Sequence, residues 1–154
     1  MIEVGQAAPD FSLVDQDGKV VTLSAGKGSP IVLYFYPKDD TPGCTKEACA
    51  FRDAFAEYRK RSVRILGISP DDPASHARFV KKYELPFTLL SDPDHEVSET
   101  YGVWRQKNLY GRKSMGVERT TFIIDETGVV RAAFPRVKVD GHSDAVIASL
   151  DDLA

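Results

Sequence analysis

The sequence predicts an α/β fold in which a mixed central sheet is flanked by helices. Short apolar runs typical of buried strands occur at residues 31–36, 63–69, 87–90 and 120–124. Helical patterns follow the first three of these runs. Strands and helices that alternate in this way pack with the helices against the faces of a sheet. The length of 154 residues is that of one domain, so we expect residues 1–154 to form a single domain.

An extra N-terminal β-hairpin is predicted before the first buried strand. Residues 11–14 and 19–23 have the pattern of short strands, and DQDG at residues 15–18 is a turn sequence. Residues 24–30 then form a loop rich in glycine and serine.

The longest helix is predicted to run from Cys44 to about Arg61. At about 100° per residue, its apolar side chains lie on one stripe that should face the sheet. The stripe consists of Cys44, Ala48, Phe51, Phe55 and Tyr58. Cys49 lies roughly 160° from Phe51 and therefore points away from the sheet.

The remaining elements follow in an order that agrees with a thioredoxin-like fold carrying the extra hairpin. Helices are predicted over residues 73–83, with Asp72 as the N-cap, and over residues 94–101. Residues 103–119 are polar, contain two glycines, and are predicted to be the least regular part of the chain. A hairpin over residues 120–134 and a helix over residues 142–150 complete the chain.

Composition and charge exclude several classes of function. The net charge is −3 and the pI is about 5.6, which argues against nucleic acid or an anionic membrane as the main partner. No apolar run is long enough to cross a membrane, and no signal peptide is evident, so we expect a cytoplasmic protein. Two cysteines are too few for a disulfide scaffold, and we expect them to be catalytic, redox-active or simply packed.

Cys44 is the candidate nucleophile. It follows the apolar run at residues 31–36, after two prolines and a glycine that end the strand, and it lies in the first turn of a predicted helix. The free N–H groups and the positive dipole end of a helix favour a thiolate over a thiol at this position. Its place on the apolar stripe leaves an inert, packed cysteine as the alternative.

Three residues around the candidate nucleophile form a recognisable motif. Pro37, Thr41 and Cys44 occur as PxxxTxxC, which resembles the active-site signature of the peroxiredoxin family. The longer string YFYPKDDTPGCTKEAC over residues 34–49 is similar to the bacterioferritin comigratory protein, or peroxiredoxin Q, subfamily. APDF at residues 8–11, YGVW at residues 101–104 and ERTTFIID at residues 118–125 extend the resemblance over nearly the whole chain.

The resemblance implies a thiol-dependent peroxidase that reduces hydrogen peroxide and organic hydroperoxides. Cys44 would be the peroxidatic cysteine and Cys49 the resolving one. Arg119 and Thr41 would complete the site, and Pro37 would shield it from water. The implied reductant is thioredoxin or a similar dithiol, and no metal or organic cofactor is required.

The spacing of the two cysteines has a mechanical consequence. Residues five apart in a helix have Cα atoms roughly 8.7 Å apart, whereas a disulfide needs roughly 4.4–6.8 Å. We therefore expect the first turns of the helix to unwind before Cys44 and Cys49 can bond. Because both cysteines belong to one helix, no partner chain is needed, and we expect a monomer.

Two other functions share some of these features. A copper-delivery protein of thioredoxin-like fold would use a closer cysteine pair and a histidine, and a protein-disulfide oxidoreductase would use Cys-x-x-Cys. The histidines at positions 76, 95 and 142 share no ligand spacing, so we predict surface or capping roles for them. The carboxylate pairs at residues 39–40 and 71–72 precede helices, where capping is expected.

Overall fold

The computed structural model describes residues 1–154, and it confirms the α/β class with a mixed sheet flanked by helices. The strands are β1 (Ser12–Asp15), β2 (Val20–Thr22), β3 (Ile31–Phe35), β4 (Arg64–Ser69), β5 (Thr88–Ser91), β6 (Trp104–Leu109), β7 (Arg112–Val117), β8 (Thr120–Ile124) and β9 (Val130–Phe134). The helices are α1 (Pro42–Asp53), α2 (Phe55–Lys60), α3 (Pro73–Tyr83), α4 (Glu96–Thr100) and α5 (His142–Leu153), with a 3₁₀ turn at Leu23–Gly26.

Seven strands form the main sheet in the order β2-β1-β5-β4-β3-β8-β9. β3, β4 and β5 are parallel neighbours at its centre, and the strands on both sides of them pair antiparallel. The predicted N-terminal hairpin is present as β1 and β2, and β1 joins the sheet by pairing with β5. The hairpin therefore extends the sheet at one edge.

Strand β3, an inner strand of the main sheet, contributes to two cores, one on each face of the sheet. Its side chains alternate between the faces because successive residues of a strand point in opposite directions. Val32 and Tyr34 enter the core that contains Cys44, while Leu33 and Phe35 enter the core on the other face. α1, α2, α3 and α5 all contribute to the first core, so Cys44 lies between the sheet and a layer of helices.

The predicted long helix ending at Arg61 is interrupted, which corrects the expectation from the sequence. Ala54 leaves helical geometry at φ −95° and ψ 7°, and it separates α1 from α2. The Tyr58 hydroxyl then donates to the carbonyl of Ser143 in α5 at 3.2 Å. No glycine or proline marks the break, so the sequence pattern did not reveal it.

Residues 103–119 are more regular than the sequence suggests, which is a second correction. β6 and β7 form a separate two-stranded sheet that we call the β6–β7 arm, residues 104–117. Tyr110 and Gly111 at its tip both have positive φ, at 52° and 77°, which is typical of a type I′ hairpin turn. Most residues of the arm are exposed, so it lacks the apolar alternation that would have predicted strands. None of the helices in the structure combines the length and the apolar character needed to cross a bilayer.

Candidate active site

Cys44 lies in the first turn of α1, as the sequence predicts. β3 delivers the chain to a loop over residues 36–41, Thr41 is the N-cap residue, and Pro42 begins the helix. Proline is favoured there because the missing N–H would have had no helical partner. Cys44 is 1% exposed and forms no disulfide, and it lies where the helix dipole favours an anion.

Arg119 reaches Cys44 because β3 and β8 are antiparallel neighbours. Phe35, the last residue of β3, pairs with Thr120, the first residue of β8, so the residues just outside these strands meet at one end of the sheet. Nη2 of Arg119 donates to Sγ of Cys44 at 3.3 Å. A Cβ on Gly43 would lie only 3.1 Å from the same nitrogen, so glycine leaves room for the guanidinium.

Glu47 is a site residue that sequence reasoning left out. Its Oε1 accepts from Nη1 of Arg119 at 2.7 Å, so one guanidinium joins the carboxylate to the thiol. Burial raises the pKa of Glu47 to about 7, and the neighbouring Arg119 only partly offsets this rise. A signal was present in the sequence, since Glu47 follows Cys44 by three residues and therefore shares its helix face.

The charges of this cluster act on one another. Burial by itself lowers the pKa of Arg119, but the negative charges of Glu47 and Cys44 outweigh this effect and raise it above the ordinary value. Arg119 therefore stays charged in a largely buried place. The second oxygen of Glu47 and the hydroxyl of Tyr34 are buried without a hydrogen-bond partner. Burial, followed by the charges of Glu47 and Cys44, raises the pKa of Tyr34 far above its usual range, so its hydroxyl stays neutral.

Lys107 of the β6–β7 arm is a second cation at the site, and sequence reasoning missed it too. Burial and the charge of Arg119 lower the pKa of Lys107, while the charge of Cys44 acts in the opposite direction. Lys107 therefore lies within electrostatic range of both Arg119 and Cys44. The irregular polar sequence around Lys107 carried no signal for this placement.

Thr41 and Pro37 lie in the loop that leads from β3 to α1. The Thr41 carbonyl accepts from the N–H of Thr45 at 2.8 Å, which begins the helix. The Thr41 hydroxyl donates to the carbonyl of Lys38 at 2.8 Å, so its own lone pairs remain able to accept a further hydrogen bond. Pro37 directly follows the buried Tyr36 and is itself half-buried.

Cys49 belongs to the same uninterrupted helix as Cys44 and is also a free thiol. It is half-buried, which is less exposed than the helical wheel suggests. Arg52 lies close enough for the charge of Cys49 to act on it. With α1 intact, the Cα atoms of the two cysteines are roughly 8.7 Å apart, beyond the reach of a disulfide.

The prediction that the histidines lie on the surface or cap helices is wrong for two of the three. His76 is fully buried and bonded to Asp39, which is itself 7% exposed, and His142 is buried against Thr121. The tertiary fold brings His76 to Asp39 from another helix, so spacing along the chain could not reveal the contact. Of the carboxylates predicted to cap helices, Asp72 does so by accepting from the N–H of Ser75 at 2.8 Å.

Comparison with known proteins places this geometry in a family. Residues 4–133 match the AhpC/TSA family model. A putative peroxiredoxin Bcp of Coxiella burnetii is 56% identical over 149 residues, covering 97% of this chain and 99% of the relative. Peroxiredoxin Bcp of Bacillus subtilis is 45% identical over 153 residues, covering 99% of this chain and 98% of the relative.

A solved structure agrees with these relatives. The bacterioferritin comigratory protein of Xanthomonas campestris, described for its alkyl peroxide reduction activity, superposes with a TM-score of 0.90 and is 40% identical. The match covers 99% of this chain and 97% of that one. The chain therefore belongs to the AhpC/TSA family, in its peroxiredoxin Q branch, and is a thiol-dependent peroxidase.

Proposed function

We propose that Cys44 is the peroxidatic cysteine and that Arg119 activates it. The observation that carries this assignment is the 3.3 Å hydrogen bond from Arg119 Nη2 to Cys44 Sγ at the N-terminus of α1. A positive guanidinium and the dipole end of a helix both favour the thiolate, which is the nucleophilic form. Thr41 and Pro37 complete the site as the loop that borders the thiol.

The first chemical step is an in-line displacement on a peroxide. The Cys44 thiolate attacks one oxygen of R–O–O–H, the O–O bond breaks, and a proton converts the departing alkoxide or hydroxide into alcohol or water. Cys44 becomes sulfenic acid, and the sulfur supplies the two electrons that reduce the peroxide. Negative charge spreads over two oxygens in this transition state, and fixed donors such as Arg119 stabilise such charge most effectively in a buried site.

The second step joins Cys44 and Cys49. The Cys49 thiolate attacks the sulfenic sulfur, a disulfide forms, and the hydroxyl leaves as water after taking up a proton. Because an intact α1 holds the two Cα atoms too far apart, the first turns of the helix must open before this step. The resulting disulfide lies in an opened segment, where a dithiol of the thioredoxin type can reduce it by exchange.

The setting of the reaction follows from the same features. We propose hydrogen peroxide and small organic hydroperoxides as substrates, and a thioredoxin-type protein as the reductant. Both cysteines come from one helix of one chain, which supports a monomer as the working unit. Two free thiols that must return to the reduced state after each turnover suit the cytoplasm.

One experiment tests both cysteine roles. Intact mass and free-thiol count would be measured after one equivalent of hydrogen peroxide, for the native protein and for Cys49→Ser. We expect the native protein to lose two protons and both thiols, and the variant to hold a trappable sulfenic acid on Cys44. Amide exchange over residues 45–50 should accelerate in the oxidised native protein. A Cys44 that reacts no faster than a free thiol would refute the proposal.

A further inference from the structure

A buried hydrogen-bond network holds the loop that precedes α1. Oδ2 of Asp39 accepts from His76 Nδ1 at 2.6 Å and from Ser75 Oγ at 2.8 Å, while Oδ1 accepts from the Tyr36 hydroxyl at 2.6 Å. The backbone N–H of Asp39 donates to Oδ2 of Asp71 at 2.8 Å. We call these five residues the Asp39 network. Its centre is closed to solvent, since His76 is 0% and Asp39 is 7% exposed.

The hydrogen bonds assign a charge state to the pair. Nε2 of His76 lies 2.9 Å from the carbonyl oxygen of Leu90, which can only accept. Nδ1 faces the Asp39 carboxylate, which already accepts from two hydroxyl groups and so is best satisfied when ionised. Both ring nitrogens therefore carry a proton, and the network contains an imidazolium paired with a carboxylate.

A second set of contacts fixes the next residue of the loop. Asp40 has a φ of 56°, in the left-handed region that residues other than glycine rarely adopt. Its carboxylate accepts from Lys82 at 2.8 Å and from the Tyr83 hydroxyl at 2.7 Å. The loop is thus tied to the start of α3 through Asp39 and to the end of α3 through Asp40. Strained backbone of this kind persists only where its surroundings hold it.

The network lies at the border of the segment that has to open. α1 begins at Pro42, three residues after Asp39, and the disulfide between Cys44 and Cys49 requires the first turns of α1 to unwind. A loop held from both ends of α3 favours the intact helix, in which Cys44 keeps its bond to Arg119. Release of the loop would favour the open form, in which Cys44 can move toward Cys49.

We propose that Asp39 and His76 are positioning residues for the peroxidase reaction. They hold the loop over residues 36–41 so that Cys44 stays in the peroxide-reactive first turn of α1, and they confine the later opening to residues beyond Thr41. The inference rests on the proposed roles of Cys44 and Cys49. It demands that loss of the network slow the oxidation of Cys44 without slowing disulfide formation.

A metal site is the other arrangement that these residues could form. Asp39, Asp71 and His76 offer ligand atoms within 4.8 Å of one another. However, Oδ2 of Asp71 already accepts from the Asp39 N–H and from Ser69 Oγ, and Nδ1 of His76 is bonded to Asp39. Hydrogen bonds therefore account for the atoms that an ion would need. A native rate that rises with added zinc, and a loss of that rise in Asp39→Asn, would overturn the ion-pair assignment.

The kinetic test separates the two steps with four variants. Asp39→Ala deletes the centre of the network, and Tyr36→Phe removes a single bond in case the first variant folds poorly. Asp39→Asn keeps the shape, since its amide can donate to a neutral His76. Tyr101→Phe is the matched control, because it loses a 2.6 Å bond to the carbonyl of Pro9 away from the loop.

Each variant would be oxidised by hydrogen peroxide in a stopped-flow instrument, with and without Cys49→Ser. We expect Asp39→Ala to oxidise Cys44 about tenfold more slowly, as the loss of buried hydrogen bonds predicts. Disulfide formation should be as fast as in the native protein or faster. Tyr36→Phe should change each step in the same direction as Asp39→Ala does, but by a smaller factor. Asp39→Asn and Tyr101→Phe should remain within about twofold of the native rates, well below the cost of an unpaired buried group.

A spectroscopic readout completes the test. In ¹⁵N-detected NMR at pH 7, His76 should have both nitrogens protonated in the native protein and only Nε2 protonated in Asp39→Asn. A neutral His76 in the native protein would overturn the ion-pair assignment, and equal slowing of both steps in Asp39→Ala and Tyr101→Phe would overturn the positioning role. If native Cys44 does not react with peroxide at all, the proposed function fails. If it reacts and Asp39→Ala matches the native protein, only the positioning role fails.

Discussion

The two sides of α1 differ in what surrounds their cysteines. Cys44 is closed to solvent and bonded to Arg119, which in turn is bonded to the buried Glu47. Cys49 is half-buried on the other side, with Arg52 as its charged neighbour. Arg52 is tied to Asp53 at 3.0 Å and to the carbonyl of Tyr83 at 2.8 Å rather than to a thiol.

In the proposed mechanism, this difference separates two tasks that one helix performs. Cys44 needs fixed charges around it, because stabilisation of a developing charge depends on donors that are already in place. Cys49 needs freedom to move, because it must cross a distance that the helix prevents. The same helix is therefore rigid where it activates a thiol and must yield where it forms a disulfide.

The largest expected effect comes from exchanging the cysteines one at a time for serine. Cys44→Ser should abolish peroxide reduction, because the hydroxyl is not ionised and cannot displace an alkoxide. Cys49→Ser should keep the first step at nearly the native rate and lose turnover with a thioredoxin-type reductant. Stopped-flow oxidation and steady-state turnover measure the two steps. Equal loss of the first step in both variants would show that the two sides of the helix do not divide the work.

The next effect compares the two arginines. Arg119→Met should slow the oxidation of Cys44 about a hundredfold, as removal of one preorganised donor does in other enzymes. Arg52→Met removes a similar charge from the Cys49 side and should leave this rate nearly unchanged. The second-order rate constant with hydrogen peroxide, measured in the Cys49→Ser background, decides the matter. A similar slowing in both variants would mean that general charge, rather than the bond to Cys44, sets the rate.

Glu47 should make stability depend on pH in a way that the Cys49 side does not. Its pKa in the folded protein is about 7, raised by burial from 4.5. Ionisation of this buried carboxyl group therefore destabilises the folded protein, and the free energy of unfolding falls as the pH rises from about 4.5 through 7. Between pH 5 and 8, the free energy of unfolding should fall by roughly 2–3 kcal/mol less in Glu47→Gln than in the native protein. Urea unfolding at both pH values measures this, and an unchanged pH slope would contradict the assignment.

The smallest effect concerns His142, which accepts or donates a 2.8 Å bond with the hydroxyl of Thr121. Burial, and then the charge of Arg119, lowers the pKa of His142 from 6.5 to about 4. Its contribution to stability is present above pH 6.5 and is lost as pH falls through 4. As the pH falls from 7 to 5, the free energy of unfolding should decrease by roughly 1–2 kcal/mol less in His142→Gln than in the native protein. Urea unfolding with equal slopes in both proteins would count against this.

The sequence was informative wherever a short stretch carried the whole signal. Strand β3, the turn sequence before α1 and the place of Cys44 in the first helical turn all depend on neighbouring residues, and the structure confirms them. The DQDG turn sequence likewise predicted the β1–β2 hairpin correctly. Signals of this kind survive because local turn chemistry and helix termini depend little on the rest of the chain.

The features that the sequence did not reveal depend on residues that are far apart along the chain. Lys107 comes within electrostatic range of Cys44 only through the tertiary fold, and His76 meets Asp39 from a separate segment, helix α3. The break at Ala54 accompanies a contact between Tyr58 and α5. In each case the partner is distant along the chain, and no periodic pattern or turn residue predicts the contact.

The sequence by itself determined the α/β class, the thiol chemistry and the helix terminus on which Cys44 lies. It also placed two cysteines five residues apart, so that helix geometry alone demands an opening before they can bond. Only the tertiary structure decided which buried charges surround the thiol. The register of β3 with β8 brings Arg119 to Cys44, and burial sets the pKa of Glu47. The physical reason is that a helix dipole is local, whereas burial and charge pairing exist only after distant segments have packed together.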